Sequence, residues 1–384
     1  MRVLVYGLAR SGRSAAERLE ERGDEVVVAD RTLRNEEDLS LLDGVELLVK
    51  NPGIPAERPL VVIAREREIP VWSEVELGYR LLPAARFVGV TGTNGKTTTT
   101  ELLGAVFRAA GRDVAVAGNV GTPVTSIRSA DWVVCELSSF QLEDVHELAC
   151  DVAVLLNIEP DHLDRHGTFE AYRDAKLRIF ERAGTKIVPR GSGLEGTEFS
   201  RDDALPAEPL IHGAHNRENA AAATAAARAA GVADAAIAAA LRTFPGVPHR
   251  LELVAERGGV RYVNDSKATN VAAARPALEA YADDPVHLIL GGSLKGESFA
   301  PLAEAIGENV QSIHVIGEAA DALAEVLPAA LRDETLERAV RHAARLAQPG
   351  DVVLLSPACA SYDQFENFEQ RGDAFRAIVA ALAD

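Results

Sequence analysis

Residues 87–90 form a short β-branched run that breaks into Thr91-Gly92-Thr93-Asn94-Gly95-Lys96-Thr97-Thr98 and resumes as the helical pattern Thr99-Thr100-Glu101-Leu102-Leu103. A strand that feeds a helix through a glycine loop needs a parallel neighbour to return to, which commits the surrounding chain to an α/β sheet. The segment has the character of a phosphate loop. Its glycines let successive backbone amides turn toward an anion, the helix adds its positive end, Lys96 reaches terminal phosphates and the Thr97 hydroxyl can ligate magnesium. The usual G-x-x-x-x-G-K-[ST] pattern has glycine where this chain has Val90, so only its second half is standard. A glycine turn capping a helix beside an exposed lysine is the plainer alternative.

The same alternation of β-branched runs with Ala, Leu, Glu and Arg stretches continues throughout the 384 residues, more than one core usually serves. The expected fold is α/β in three domains. A Rossmann-like domain over residues 1–83 holds strands near 3–6, 26–29 and 47–49. A central P-loop ATPase-type parallel sheet follows over 84–247, and a Rossmann-like domain over 248–384 begins after Phe244-Pro245-Gly246-Val247-Pro248 interrupts a helical pattern. The alanine-rich stretch 219–240 predicts packed helices, and residues 191–209 a surface loop with at most a short strand.

Lys and Arg number 40 against 58 Asp and Glu, a net charge of −18 that argues against nucleic acid and anionic membranes as partners. A small anionic ligand held by amides and a few local cations remains compatible. Three scattered cysteines fit reduced thiols, and no apolar run is long enough for a signal segment or a span, so a cytoplasmic protein is expected.

In open parallel sheets, ligands bind beyond the carboxyl ends of the strands. Strand 132–135 delivers Glu136, and strand 152–156 delivers Asn157, five residues before His162. A carboxylate and an imidazole beside a nucleotide can ligate magnesium, although each alone is as readily a surface residue, and no zinc-type three-ligand spacing stands out in residues 161–166. By spacing, Lys176 is a solvated lysine on an amphipathic helix. Gly7-Leu8-Ala9-Arg10-Ser11-Gly12 with Asp30 after the next strand is an imperfect dinucleotide fingerprint, open to another nucleotide diphosphate or to a turn that only packs a helix, and Asn51-Pro52-Gly53-Ile54-Pro55 is a further turn. In the third block, Asn264 to Asn270, Gly291 to Gly296 and Ser356 to Ser361 follow three strands. Their lysines, hydroxyls and glycine amides suit a small carboxylate-rich molecule.

These motifs, with His215-Asn216-Arg217-Glu218-Asn219, Asn264-Asp265-Ser266-Lys267-Ala268-Thr269-Asn270 and the run SPACASYDQFENFEQRG from Ser356, resemble the ATP-dependent Mur ligases of bacterial cell-wall synthesis over essentially the whole chain. Folylpolyglutamate synthases share the ATPase-level similarity. The third-domain motifs resemble the branch that joins D-glutamate to UDP-N-acetylmuramoyl-L-alanine. The resemblance implies that Gly92 to Thr98, Asn216, Asn219, Arg250 and Asp265 bind ATP, and that Thr97, Glu136, His162 and Lys176 hold two magnesium ions. Lys176 would then be carbamylated, against its spacing-based reading, and Lys96, His162, Lys176 and Arg250 would serve catalysis. Arg10, Ser11, Asp30, Arg31, Gly53 and Asn119 match the uridine nucleotide site, and Thr269, Lys295, Ser361 and Phe368 the D-glutamate site. Arg10-Ser11 and the short segment after Lys176 depart from the commonest family pattern. Small-molecule partners and a monomer are expected. The alternatives are a related ligase for another amino acid and, from a different class, an NAD-dependent oxidoreductase built on the first block, in which the phosphate loop has no role.

Overall fold

The computed structural model describes residues 1–294, 296 and 298–382. Its strands fall into three sheets. The first comprises β1 (Arg2–Tyr6), β2 (Glu25–Ala29), β3 (Leu47–Lys50) and β4 (Val71–Ser73), in the spatial order β2-β1-β3-β4, all parallel. The second comprises β5 (Arg86–Thr91), β6 (Val114–Gly118), β7 (Trp132–Glu136), β8 (Val152–Leu155), β9 (Thr185–Pro189) and β10 (Thr197–Phe199), in the order β10-β9-β8-β5-β7-β6, again parallel. The third comprises β11 (Glu252–Arg257), β12 (Val260–Asn264), β13 (Val286–Gly291), β14 (Val310–Ile316), β15 (Leu331–Glu334) and β16 (Val352–Leu355). Its order is β11-β12-β16-β13-β14-β15, and only the β11–β12 pair is antiparallel. The chain is thus an α/β protein of mainly parallel sheets.

Helices on both faces explain why β1, β5, β7, β8, β13 and β16 read as unbroken apolar runs rather than as alternating ones. The short and edge strands escape that reading. β4 is three residues long and β11, ELVAER, is a half-exposed antiparallel edge strand. The helices Ala214–Ala229 and Asp234–Thr243 bear out the alanine-rich stretch, where small side chains let helices pack closely.

Contacts divide the chain into two compact units, residues 1–208 with 218–242 and residues 209–217 with 243–384. The first unit holds the first two sheets. Between strand β1 and the helix Arg10–Glu21, Gly12 is required by contact: a Cβ there would lie 1.8 Å from the Gly7 carbonyl oxygen. That close approach is what the third glycine of a dinucleotide-type turn provides. No helix among the described residues is long and apolar enough to cross a membrane.

Candidate active site

Strand β5 pairs with β7 through Val90 and Glu136 and with β8 through Thr91 and Leu155, so three strand ends surround the loop 91–98. Val90 is a fully buried strand residue, and the left-handed turn falls instead at Gly95, φ 82°, which caps the helix Lys96–Ala109. A Cβ on Gly95 would lie 2.2 Å from the Asn219 side-chain oxygen, so the loop and Asn219 are in direct apposition. The loop is pinned to the β8 end: Thr93 N–H donates to the Asn157 carbonyl at 3.0 Å and Asn94 N–H to its side-chain oxygen at 2.8 Å. Asn94 also donates to Glu159 at 3.2 Å.

Lys96 Nζ donates to the carbonyls of Gly92 and Thr93 at 2.9 and 2.8 Å. Lys176, in the helix Phe169–Leu177, donates to the same Gly92 oxygen at 2.7 Å. Spacing places Lys176 on a solvated face; in the fold its side chain is 2% exposed, because the helix lies against the loop. Tyr172, one helical turn earlier, sits between them. Its hydroxyl is 3.0 Å from that of Thr93, and Lys176 Nζ lies 4.6 Å from its ring centroid. Burial first and the charge of Lys96 second pull the Lys176 amine down to about 7, with Asp161 opposing. An amine so tuned is substantially unprotonated at neutral pH.

Glu136 is 2% exposed, accepts from Asn119 Nδ2 at 3.0 Å and has no lysine or arginine ion-pair partner among the described residues. His162 is exposed, in left-handed backbone at φ 51°, with its ring 4.9 Å from Phe140 and 6.3 Å from Tyr172. The αL conformation is costly for a non-glycine residue and marks a position the surroundings impose.

In the first sheet, the Asp30 carboxylate accepts from Leu8 N–H at 2.6 Å, Thr32 N–H at 2.8 Å and the Thr32 hydroxyl at 2.7 Å. These bonds, the one from Leu8 foremost, hold its carboxyl below the usual range. Asn51 joins two strand ends by donating to Ser11 Oγ at 3.0 Å while accepting from Gly53 N–H at 3.0 Å. Arg10 reaches the central sheet, donating to the Gly121 carbonyl at 2.9 Å. Arg31 opens the short helical turn Arg31–Leu33 beside Asp30.

In the second unit, Asp265 is buried, accepts from Ser356 Oγ at 2.7 Å and Leu251 N–H at 3.3 Å, and is pushed up to about 7 by burial. The positive charges of Arg250 and Arg371 oppose that rise. Asn216 is buried and donates to the His212 carbonyl at 2.7 Å. Thr269 follows β12, Ser361 is buried after β16, and Phe368 opens the helix Phe368–Ala380, its carbonyl accepting from Ser266 Oγ at 2.8 Å. Lys295 lies outside the described residues. Arg371, not singled out in the sequence, organises these loops. It is 1% exposed and donates to Ser266 Oγ at 3.0 Å and to the carbonyls of Ser266, Cys359, Ala360 and Gly291 at 2.9, 3.0, 3.1 and 3.4 Å. Burial lowers its pKa to about 10, and the negative groups of Cys359, Asp363 and Asp265 oppose that fall.

Residues 90–192 match the Mur ligase middle domain, and residues 249–359 the Mur ligase glutamate ligase domain. A UDP-N-acetylmuramoylalanine--D-glutamate ligase of Acidobacterium capsulatum is 41% identical, covering 99% of this chain and 96% of its own. The chain belongs to the Mur ligase family. A relative of the same name from Geobacillus kaustophilus is 40% identical over 99% of this chain and 98% of its own. The alignment to the first relative spans 447 positions, more than the 384 residues here, so that relative carries internal residues this Mur ligase lacks.

Among solved structures, a UDP-N-acetylmuramate-alanine ligase of Thermotoga maritima aligns with a TM-score of 0.62 at 18% identity over 99% of both chains. A bifunctional folylpolyglutamate synthase/dihydrofolate synthase of Yersinia pestis, whose structure holds AMPPNP and a manganese ion, aligns with a TM-score of 0.58 at 20% identity, covering 79% of this chain and 92% of its own. Both similarities concern the fold.

The donor set of this Mur ligase suits a hard divalent cation. A buried carboxylate with no lysine or arginine ion-pair partner among the described residues and a hydroxyl at a helix N-terminus supply oxygen ligands. Tyr172, like Arg371, is a residue packed against these loops that was not singled out in the sequence. Its only signal is the i, i+4 spacing to Lys176, which places the two side chains on one helix face.

Proposed function

We propose that this Mur ligase joins the L-alanyl carboxylate of UDP-N-acetylmuramoyl-L-alanine to the amine of D-glutamate at the expense of ATP, in peptidoglycan precursor synthesis. The observation that carries the reading is the convergence of Lys96 and Lys176 on the Gly92 carbonyl, which places two amines, the second pulled down to about 7 mainly by burial, at one glycine loop before a helix. The full-length similarity to relatives named for this reaction supports the choice of substrates.

A carboxylate is a poor electrophile, and activation overcomes this. Its oxygen attacks the ATP γ-phosphorus, the bond to the β-phosphate oxygen breaks, and ADP leaves. The D-glutamate amine then attacks the acyl phosphate carbonyl and phosphate departs with the bonding pair, while the ammonium proton passes to a base for which Asp161, His162 and water are candidates. Lys96 and the amides of 92–98 neutralise the meeting of two anions and align the transferred group. Two magnesium ions, when bound, supply further charge neutralisation, and Thr97, Glu136, His162 and a carbamylated Lys176 are the residues that would hold them.

Asn216, Asn219, Arg250 and Asp265 are assigned to ATP, Arg10, Ser11, Asp30, Arg31, Gly53 and Asn119 to the uridine nucleotide, and Thr269, Lys295, Ser361 and Phe368 to D-glutamate. The three sheets support a division at 83/84 and 247/248 into nucleotide-substrate, ATP and amino-acid domains. We assign the protein to the cytoplasm as a monomer without nucleic-acid partners.

The test is ADP release with UDP-N-acetylmuramoyl-L-alanine and Mg2+, with and without D-glutamate. D-Glutamate-dependent release, absent with L-glutamate, lysine and diaminopimelate, is expected. Release with another amino acid instead would move the specificity, and none at all would remove the reading.

A further inference from the structure

A chain of polar side chains crosses the third sheet, from Asp351 just before β16 to Asp333 on the edge strand β15. His287 on β13 contacts Asp351 through Nε2 at 3.1 Å and Ser312 Oγ, on β14, through Nδ1 at 2.7 Å. Ser312 Oγ is 2.8 Å from Nε2 of His314, whose Nδ1 is 2.6 Å from Asp333 Oδ2 on the edge strand β15. The other Asp333 oxygen is 2.9 Å from Nδ1 of His342, in the helix Leu336–Leu346. Asp333 is an extra residue in β15: Val315 pairs with Arg332 and Ile316 with Glu334, and Glu334 is left-handed at φ 64°. Such a bulge re-aims a side chain, and here it coincides with the carboxylate facing two histidines.

Counting protons shows that the network is one short. Four links run from Asp351 to Asp333, and each needs one hydrogen. Both ends are carboxylates, which only accept, and neutral His287, Ser312 and neutral His314 carry one hydrogen each. Three hydrogens cannot fill four links. A fourth proton would make an imidazolium or a carboxylic acid.

A cation bound to His314, Asp333 and His342 removes the shortage. It replaces the hydrogen between His314 Nδ1 and Asp333. The remaining three links are then filled in one direction, His314 Nε2–H to Ser312, Ser312 O–H to His287 Nδ1 and His287 Nε2–H to Asp351. A histidine ligand whose other ring nitrogen donates to a fixed partner is the usual supporting arrangement at metal sites.

We propose that His314, Asp333 and His342 form a binding site for a divalent transition-metal ion of the zinc class, which staples edge strand β15 to β14 and the helix behind it. The three ligand atoms all lie within 4.8 Å of one another. Ligands at about 2.0–2.1 Å around a tetrahedral ion sit about 3.3 Å apart, an adjustment within reach of a side-chain rotation. His314 is fully buried, whereas the His342 side chain is 32% exposed, which gives the ion a route in. Two imidazoles and one carboxylate favour zinc over magnesium or calcium.

The experiment is zinc titration of the full-length chelator-stripped protein against a chromophoric competitor, with thermal unfolding in parallel. The parent is expected to bind one zinc equivalent that His342→Ala lacks, and zinc is expected to raise the Tm of the parent alone. Ser312→Ala should weaken that equivalent 10- to 100-fold. Because His342 is partly exposed, its variant is expected to fold, as circular dichroism and retained Mg2+-dependent ADP release would show. Equal zinc stoichiometry and affinity in parent and His342→Ala would overturn the proposal. So would a zinc-free parent whose 15N spectrum shows both ring nitrogens of His287 or His314 protonated.

Discussion

Lys96 and Lys176 donate to one oxygen, the Gly92 carbonyl, at 2.9 and 2.7 Å. One lysine is partly solvated at the helix N-terminus; the other is buried, and its amine is pulled down to about 7. In the proposed reading these environments separate their roles: Lys96 would serve phosphate, and Lys176, its amine pulled down by burial, would take up CO2 as a carbamate.

Removing the Lys96 charge should therefore act on Lys176 as well as on ATP. In Lys96→Ala, ADP release should fall by roughly 10²- to 10³-fold, the scale for losing one preorganised charge-stabilising group. The pH midpoint of carbamate formation, followed by 13C NMR with labelled bicarbonate, should move upward. An unmoved midpoint would mean that the two amines do not sense each other.

Lys176→Ala should be nearly inactive and partly restored by formate or acetate, which can place an oxygen donor where the proposed carbamate would stand. The 13C carbamate signal should vanish in this variant. Retained activity, or a signal that persists, would exclude the modification.

Glu74 gives a stability prediction. It is buried, and its Oε1 accepts from the Thr125 N–H and hydroxyl at 2.6 Å each. Burial raises its pKa to about 7 from 4.5. The folded protein then holds this proton more tightly than the unfolded chain does, so the stabilisation is complete below pH 4.5 and is lost as pH rises through 7. Between pH 4.5 and 8 the parent should lose about 3 kcal/mol through this group, and Glu74→Gln should not. Urea unfolding at both pH values checks it; equal losses in the two proteins would contradict it.

Arg371→Lys should destabilise the second unit by roughly 3 kcal/mol, because a single ammonium cannot serve the Ser266 hydroxyl and the carbonyls that the planar guanidinium now spans. Urea unfolding monitored in the third sheet would show the loss. A change below about 0.5 kcal/mol would mean that the loops hold without this clamp.

Much of this architecture was legible in residue order alone. Strands such as β5, β13 and β16 are buried on both faces and leave continuous apolar runs, and the polar or glycine residues that follow them mark the end of the sheet where ligands collect. The strand, glycine loop and helix around Lys96 could be recognised despite Val90, since Gly95, Lys96 and Thr97 keep their spacing. By contrast, β4 and β11 are too short or too polar for that signal. Arg371 sits among other polar residues in a run of mixed composition, and only its near-complete burial distinguishes it.

What the sequence determined by itself is the set of local, short-range facts: strand, loop and helix order, and which loops carry glycine, lysine and hydroxyl groups. Tertiary structure decided which charges lose water. Lys176, Glu74, Asp265 and Arg371 have their properties set by neighbours dozens of residues away, because desolvation and Coulomb interaction depend on distance in space and leave no periodic trace along the chain.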